Sequence, residues 1–198
     1  DYFARPLEKV DTIYTCRKYF GVPDGAFLYT DQKIKQKLER DESYERIRYI
    51  LGRYERTASE FYGESVENNK HFASEPIKEM SHLTYNLLHA IDYVRVEEQR
   101  RRNFSKLACA LDEINQLCRN RQLRTSSFMY PLMIDDTAEI RRKLQKKKIY
   151  IPVLWPNVLN NISETWNEWK LAQNILPLPI DQRYNEEDMN YLIEEIEK

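Results

Sequence analysis

The sequence predicts an α/β chain in which a strand pair near the start is joined by long helices to a small α/β domain. Three observations support this fold class. Two runs rich in β-branched and aromatic residues flank a Gly-Pro-Asp-Gly turn, helical periodicity dominates the middle of the chain, and strand and helix signals alternate over 127–198. With 198 residues, 41% of them hydrophobic, the chain is long enough to bury a substantial core.

The first two predicted strands are 10–16 (VDTIYTC) and 26–30 (AFLYT). Between them, Gly21 to Gly25 carry turn chemistry, and two of the chain's 4 glycines lie in this segment. We therefore expect a hairpin whose connecting loop has a defined conformation.

Helical spacing predicts helices over 31 to about 73 and again from Ser81 to about Leu117. Ser43 is a candidate N-cap in the first region, and Pro76 ends that region. Asp92 is a candidate break within the second.

The last third predicts a small sheet covered by helices. We expect strands at 127–134 and 149–156, an extended segment at 175–180, and helices at 136–148 and 185–198. The last helix has the clearest start, because Asn185 can cap it and Asp188 occupies the reciprocal capping position.

Composition argues against several classes of function. The 31 basic and 32 acidic residues nearly cancel, so we expect no nucleic-acid partner. No apolar run reaches the length of a membrane-spanning helix, so we expect no membrane partner. The three cysteines, Cys16, Cys109 and Cys118, lack metal-ligand spacing, which predicts no metal site and fits a cytoplasmic protein.

Lys18 lies where the first strand gives way to the turn. The characteristic chemistry of a positioned lysine is imine formation with a carbonyl, which requires the neutral amine. Position alone also fits a solvated lysine at a strand end, and lone lysines are rarely catalytic.

The segment around Lys18, YTCRKYFGVPDGAFLYT, resembles the lysine segment of the DegT/DnrJ/StrS family of fold-type I, pyridoxal-phosphate-dependent aminotransferases. In that family a strand leads through the lysine and an aromatic pair into a glycine-rich turn and an outgoing strand. Further segments resemble the family in the same order along the chain: ILGRYERTASEFY, MSHLTYNLLHAIDY, RRRNFSKL, KIYIPVLWP and LPLPIDQRYNEEDM.

The resemblance implies that the chain is the C-terminal half of such an enzyme, with two large-domain strands, long connecting helices and a small α/β domain. Residues 1–91 would be a remnant of the large cofactor-binding domain plus connecting helices. Residues 92–198 would be the small domain, beginning with a long helix. In the family, the phosphate-binding loop and the aspartate that pairs with the pyridinium nitrogen come from the segment before the lysine.

The resemblance also implies a function. Lys18 would bind the aldehyde of pyridoxal 5'-phosphate and later move a proton, and Arg53 is a candidate phosphate contact. The intact protein, expected to be a cytoplasmic homodimer, would transfer an amino group, with glutamate as the expected donor, to a keto group of a sugar or nucleotide-sugar. The 198 residues alone are expected to be inactive. The alternative is a non-catalytic fragment or degenerate homologue that serves as a structural or interaction module.

Overall fold

The computed structural model describes residues 2–117 and 127–198. They form two compact units, Tyr2–Asp92 and Tyr93–Lys198. Each unit contains one two-stranded antiparallel sheet together with helices. The prediction of a mixed α/β chain is therefore confirmed. Cys118 lies outside the described residues.

The first unit begins with the predicted hairpin. Strand β1 (Thr12–Thr15) pairs with β2 (Ala26–Tyr29), and Thr15 lies opposite Ala26. Both strands are shorter than predicted, and β1 ends at Thr15 because the chain turns at Cys16, whose carbonyl accepts from the N–H groups of Tyr19 and Phe20 at 3.0 and 2.9 Å. A 3₁₀ turn over Cys16–Lys18 therefore follows β1.

The first predicted helical region is only partly helical. The segment 31–44 forms no helix, and its backbone instead pairs with that of Glu79, which accepts from the N–H of Asp41 at 2.9 Å and donates to the carbonyl of Glu39 at 2.8 Å. A long-range contact of this kind cannot be seen in local periodicity. Helices follow at α1 (Arg48–Glu55) and α2 (Tyr62–Ser74).

The break between α1 and α2 allows the two helices to approach closely. The backbone leaves the helical region at Arg56, and Phe61 folds back onto Gly52. A Cβ atom built at Gly52 would lie 2.2 Å from the Phe61 ring, so only glycine permits this approach. Ser43 does not cap a helix with its side chain, because the N-cap of the short 3₁₀ turn at Glu45–Ile47 is Tyr44.

The second predicted helical region starts and breaks where the sequence indicated. Ser81 caps α3 (His82–His89), accepting a hydrogen bond from the Thr84 N–H at 3.1 Å. The chain leaves the helix at 90–92 and enters α4 (Tyr93–Leu111), which ends before the predicted position of Leu117.

The core of the second unit lies between its sheet and three helices. Strand β3 (Tyr130–Met133) pairs with β4 (Ile175–Leu178), and Tyr130 lies opposite Leu178. Fully buried leucines on both strands pack with apolar residues of α4, of α5 (Thr137–Lys146) and of α8 (Glu186–Glu197). Two further helices, α6 (Pro156–Asn161) and α7 (Asn167–Asn174), connect α5 to β4.

The predicted strand at 149–156 is wrong. This segment is irregular, although Ile151 is 5% exposed and belongs to the core. Lys148 and Trp155 adopt positive φ values of 62° and 51°, and Pro156 then begins α6. Proline and left-handed backbone interrupt a run whose composition alone favoured a strand.

The start of α8 has the predicted capping box. The Asn185 side chain accepts from the Asp188 N–H at 3.0 Å, and the Asp188 carboxylate accepts from the Asn185 N–H at 2.9 Å. Two N–H groups without a partner inside the helix are thereby satisfied.

We expect Asn185→Ala to lower the free energy of unfolding by about 1 kcal/mol, because it removes this cap. The control is Asn190→Ala, an exposed position inside the same helix, which should stabilise slightly because alanine has the higher helix propensity. Urea unfolding of both variants measures the difference, and equal effects would contradict the assigned cap.

Candidate functional site

The candidate site lies on the turn that connects β1 to β2. Cys16, Tyr19, Phe20 and Val22 are 0–5% exposed, whereas Lys18 between them is exposed. Arg17, which precedes Lys18, is half-buried, and Tyr19, which follows it, is buried. Lys18 is therefore an exposed residue in a turn that contributes several buried side chains.

Arg17, the neighbouring cation, faces helix α2. Its guanidinium donates to the Asn69 side-chain oxygen at 2.7 Å and lies 4.5 Å from the centre of the Phe72 ring. Lys18 belongs to the same 3₁₀ turn but is exposed, so the two adjacent cations have different surroundings.

Asp24 anchors the second half of the turn. It is 2% exposed and accepts three hydrogen bonds: from the Ser81 N–H at 3.0 Å, the Ser81 hydroxyl at 2.7 Å and the Thr84 hydroxyl at 2.9 Å. Because the Ser81 hydroxyl donates to Asp24, the hydroxyl of Ser43, 2.6 Å away, donates to Ser81. This buried network ties the turn to the start of α3.

Gly25 completes the turn with a φ of +97°, a conformation that favours glycine. A Cβ atom there would also lie 2.9 Å from the Thr84 side chain. The Gly25 carbonyl accepts from the Cys16 N–H at 3.1 Å and so closes the loop that holds Lys18.

Cys16 lies beneath the turn in an environment that keeps it protonated. Burial, reinforced by the negative charge of Asp24, raises the pKa of the Cys16 thiol to about 12. Cys109, by contrast, is exposed on α4. Since the thiolate is the reactive form, the structure predicts that Cys16 is inert in the folded protein.

This pKa predicts a dependence of stability on pH. The thiol of the unfolded chain titrates near pH 8.5. Above that pH the folded state therefore keeps a thiol proton that the unfolded state has lost. The contribution of Cys16 is fully present below about pH 8.5 and falls by up to about 1.4 kcal/mol per pH unit as the pH rises toward 12. Urea unfolding of the parent chain and of Cys16→Ala at pH 8 and 10.5 measures this change in the free energy of unfolding.

The difference in the free energy of unfolding between the parent chain and Cys16→Ala should be smaller at pH 10.5 than at pH 8. In a background of Cys109→Ser and Cys118→Ser, Cys16 should react with a thiol reagent only as fast as the structure opens. A difference that is independent of pH, together with rapid modification of Cys16, would contradict the protonated, buried thiol.

Arg53, the candidate phosphate contact, lies in the last turn of α1 and is exposed. It belongs to a different element from Lys18, and its role in cofactor binding stays a prediction. In the described parts of the chain, no group of three His, Cys, Asp or Glu side chains is arranged to hold a metal ion. None of the described helices has both the length and the apolar character needed to cross a membrane.

The turn around Asp24 was predicted from the sequence, but the buried network that Asp24 supports was not. Asp24 and Ser81 are 57 residues apart, and no local pattern links them. An aromatic cluster was also missed: the ring centres of Tyr2 and Phe20 are 4.7 Å apart, and those of Phe3 and Tyr19 are 6.0 Å apart. The density of aromatic residues over 2–3 and 19–20 was the available signal.

Comparison with family models, with curated proteins and with solved structures found no match to this chain.

Proposed function

We propose that these residues are the C-terminal part of a pyridoxal-phosphate-dependent aminotransferase in which Lys18 holds the cofactor. The observation that carries the proposal is an exposed lysine on a turn that is held in place by the buried side chains of Cys16, Tyr19, Phe20 and Val22 and by the Asp24 network. A lysine that attaches a cofactor needs both access and a fixed backbone. A solvated lysine at a strand end requires neither the Asp24 network nor the positive φ of Gly25.

The residues near Lys18 fit part of the cofactor. The Lys18 amine suits the aldehyde, and pyridoxal phosphate, when bound, acts as an electron sink. Asp24 does not suit the pyridinium nitrogen, because it is buried and already accepts three hydrogen bonds. The pyridinium partner and the phosphate-binding loop are therefore expected from a preceding segment of the intact protein, as the family resemblance implies.

Lys18 would have two roles in the intact enzyme. Its amine would attach the cofactor, and after release from it would carry a proton at the Nζ atom. Arg53 would contribute a positive charge to the cofactor phosphate, within the homodimer that the resemblance implies. The donor proposed is glutamate and the acceptor a keto-sugar or nucleotide-linked keto-sugar, both on the strength of the resemblance.

The test uses the intact protein encoded by the gene, titrated with pyridoxal phosphate and followed by absorbance. Lys18→Ala should abolish the cofactor's protein-bound absorbance band and the transfer of an amino group from glutamate. Lys33→Ala, another exposed lysine of the same unit, is the matched control and should retain both. Retention of both by Lys18→Ala would contradict the proposal.

One observation favours the alternative, a non-catalytic interaction module. All four residues of β2 are exposed, and Ile13 on β1 is 70% exposed, so the hairpin presents an apolar surface. Such a ribbon is marginal alone and gains stability from a further strand. Under this alternative, the intact protein would show neither cofactor binding nor glutamate turnover, but would still self-associate in sedimentation measurements.

A further inference from the structure

The hairpin of the first unit has an edge that no further strand covers. In the described parts of the chain, this sheet consists of β1 and β2 alone, and all four residues of β2 are exposed. The outer edge of such a strand presents backbone N–H and C=O groups to solvent, and another strand can pair with them. The hydrogen bonds between β1 and β2 determine which residues these groups belong to.

Two residues of β2 direct their backbone groups outward. The Cys16 N–H donates to the Gly25 carbonyl at 3.1 Å, which places these two residues at a hydrogen-bonded position of the ladder. Such positions recur at every second residue of an antiparallel pair, so Phe27 also directs its N–H and C=O toward β1. Ala26 and Leu28, on either side of Phe27, therefore direct theirs away from β1.

The sequence of β2 has none of the usual protection against edge pairing. Soluble proteins commonly place a charge, a proline or a bulge on an exposed edge strand. This strand reads Ala-Phe-Leu-Tyr and contains neither charge nor proline. The nearest charged residues along the chain lie beyond its ends, and of these Asp24 is buried. Pairing of β2 with an identical strand therefore brings no like charges opposite each other.

We propose that β2 pairs antiparallel with β2 of a second copy of this chain, about a two-fold axis at Phe27. In this register Ala26 lies opposite Leu28 of the partner subunit, and Leu28 lies opposite Ala26 of the partner subunit. Each pair exchanges two hydrogen bonds, so every outward N–H and C=O of the strand is used. A contact that is identical on both subunits closes as a dimer.

The side chains fit this register. Phe27 lies opposite Phe27 of the partner subunit at a non-hydrogen-bonded position, where side chains approach most closely and aromatic pairs are stabilising. On the other face, Leu28 lies between Ile13 of its own β1 and Ala26 of the partner subunit. Ile13 and Leu28 are 70% and 47% exposed in the single chain, and they become part of an apolar row across four strands.

The dimer stabilises the hairpin, because a two-stranded ribbon is marginal in water and a sheet of three or more strands is not. Pairing of two short strands buries less than the roughly 800 Å² per subunit of a standard interface, so we expect a dissociation constant on the order of 100 µM. The contact does not depend on the role proposed for Lys18, and cofactor binding is measured separately from it.

Sedimentation equilibrium of the 198-residue chain, from about 5 to 500 µM, tests the proposal. Phe27→Lys places two ammonium groups opposite each other at the axis and should weaken the dimer about tenfold or more. The matched control is Ile13→Lys, an equally charged change on the strand away from the partner, which should dimerise within about threefold of the parent chain. A parent chain that stays monomeric would overturn the proposal, as would equal dimerisation of the two variants.

Exchange of backbone amides with water, followed by NMR of the unmodified chain, locates the contact independently of any substitution. The Leu28 amide should exchange about threefold more slowly at 500 µM than at 20 µM, because only the dimer gives it an acceptor. The Phe27 amide, which donates toward β1, should be protected at both concentrations. Protection of Leu28 in the monomer would show that its own chain covers the edge, and a Leu28 rate that stays constant while the chain dimerises would place the interface elsewhere; either result would overturn the proposal.

Discussion

Replacing Asp24 by alanine should lower the free energy of unfolding by about 3–5 kcal/mol. Asp24 accepts hydrogen bonds from the Ser81 N–H and from the hydroxyls of Ser81 and Thr84, and all three residues are buried. The substitution leaves these donors in the interior without an acceptor. Each buried donor that loses its partner costs about 1–3 kcal/mol, and the shared environment makes the sum less than additive.

Urea unfolding of the whole chain, followed by circular dichroism, measures this effect. Asp31→Ala is the control, because Asp31 follows the same hairpin but is exposed, and its replacement should change stability by less than about 0.5 kcal/mol. Ser43→Ala should fall between the two, since Ser81 loses one donor but keeps its bond to Asp24. Equal effects of Asp24→Ala and Asp31→Ala would contradict the anchoring role.

Replacing Leu107 by alanine should destabilise the second unit by about 2–5 kcal/mol. Leu107 lies on α4, is 0% exposed and belongs to the core between the helices and the β3–β4 sheet. Its removal leaves a cavity that the surrounding side chains fill only in part. The fluorescence of Trp155, Trp166 and Trp169, all in this unit, reports its unfolding.

Val94→Ala is the control on the same helix. Val94 is 68% exposed, so its replacement should change stability by less than about 0.5 kcal/mol. If both substitutions cost the same, the face of α4 assigned to the core would be wrong.

Elements with local signals were predicted well. The β1–β2 hairpin follows from two apolar runs around a turn, and the starts of α3 and α8 follow from Ser81 and Asn185. In each case the residues that determine the structure lie within a few positions of it.

Features that depend on distant residues were not predicted. The segment 31–44 pairs with the backbone at Glu79, and 149–155 places Ile151 in the core without strand pairing. In the candidate site, too, local features were predicted and long-range contacts were not. Lys18 and its turn could be identified from the sequence, whereas the buried network beneath Asp24 joins residues that are far apart in the chain.

We propose that Lys18 attaches pyridoxal phosphate in the intact protein, and borohydride reduction of the cofactor-loaded protein followed by peptide mapping tests this proposal. We expect a pyridoxyl group on the peptide that contains Lys18, and none on that peptide when pyridoxal phosphate is omitted before reduction. A stoichiometric label on a different lysine, with Lys18 unmodified, would contradict it.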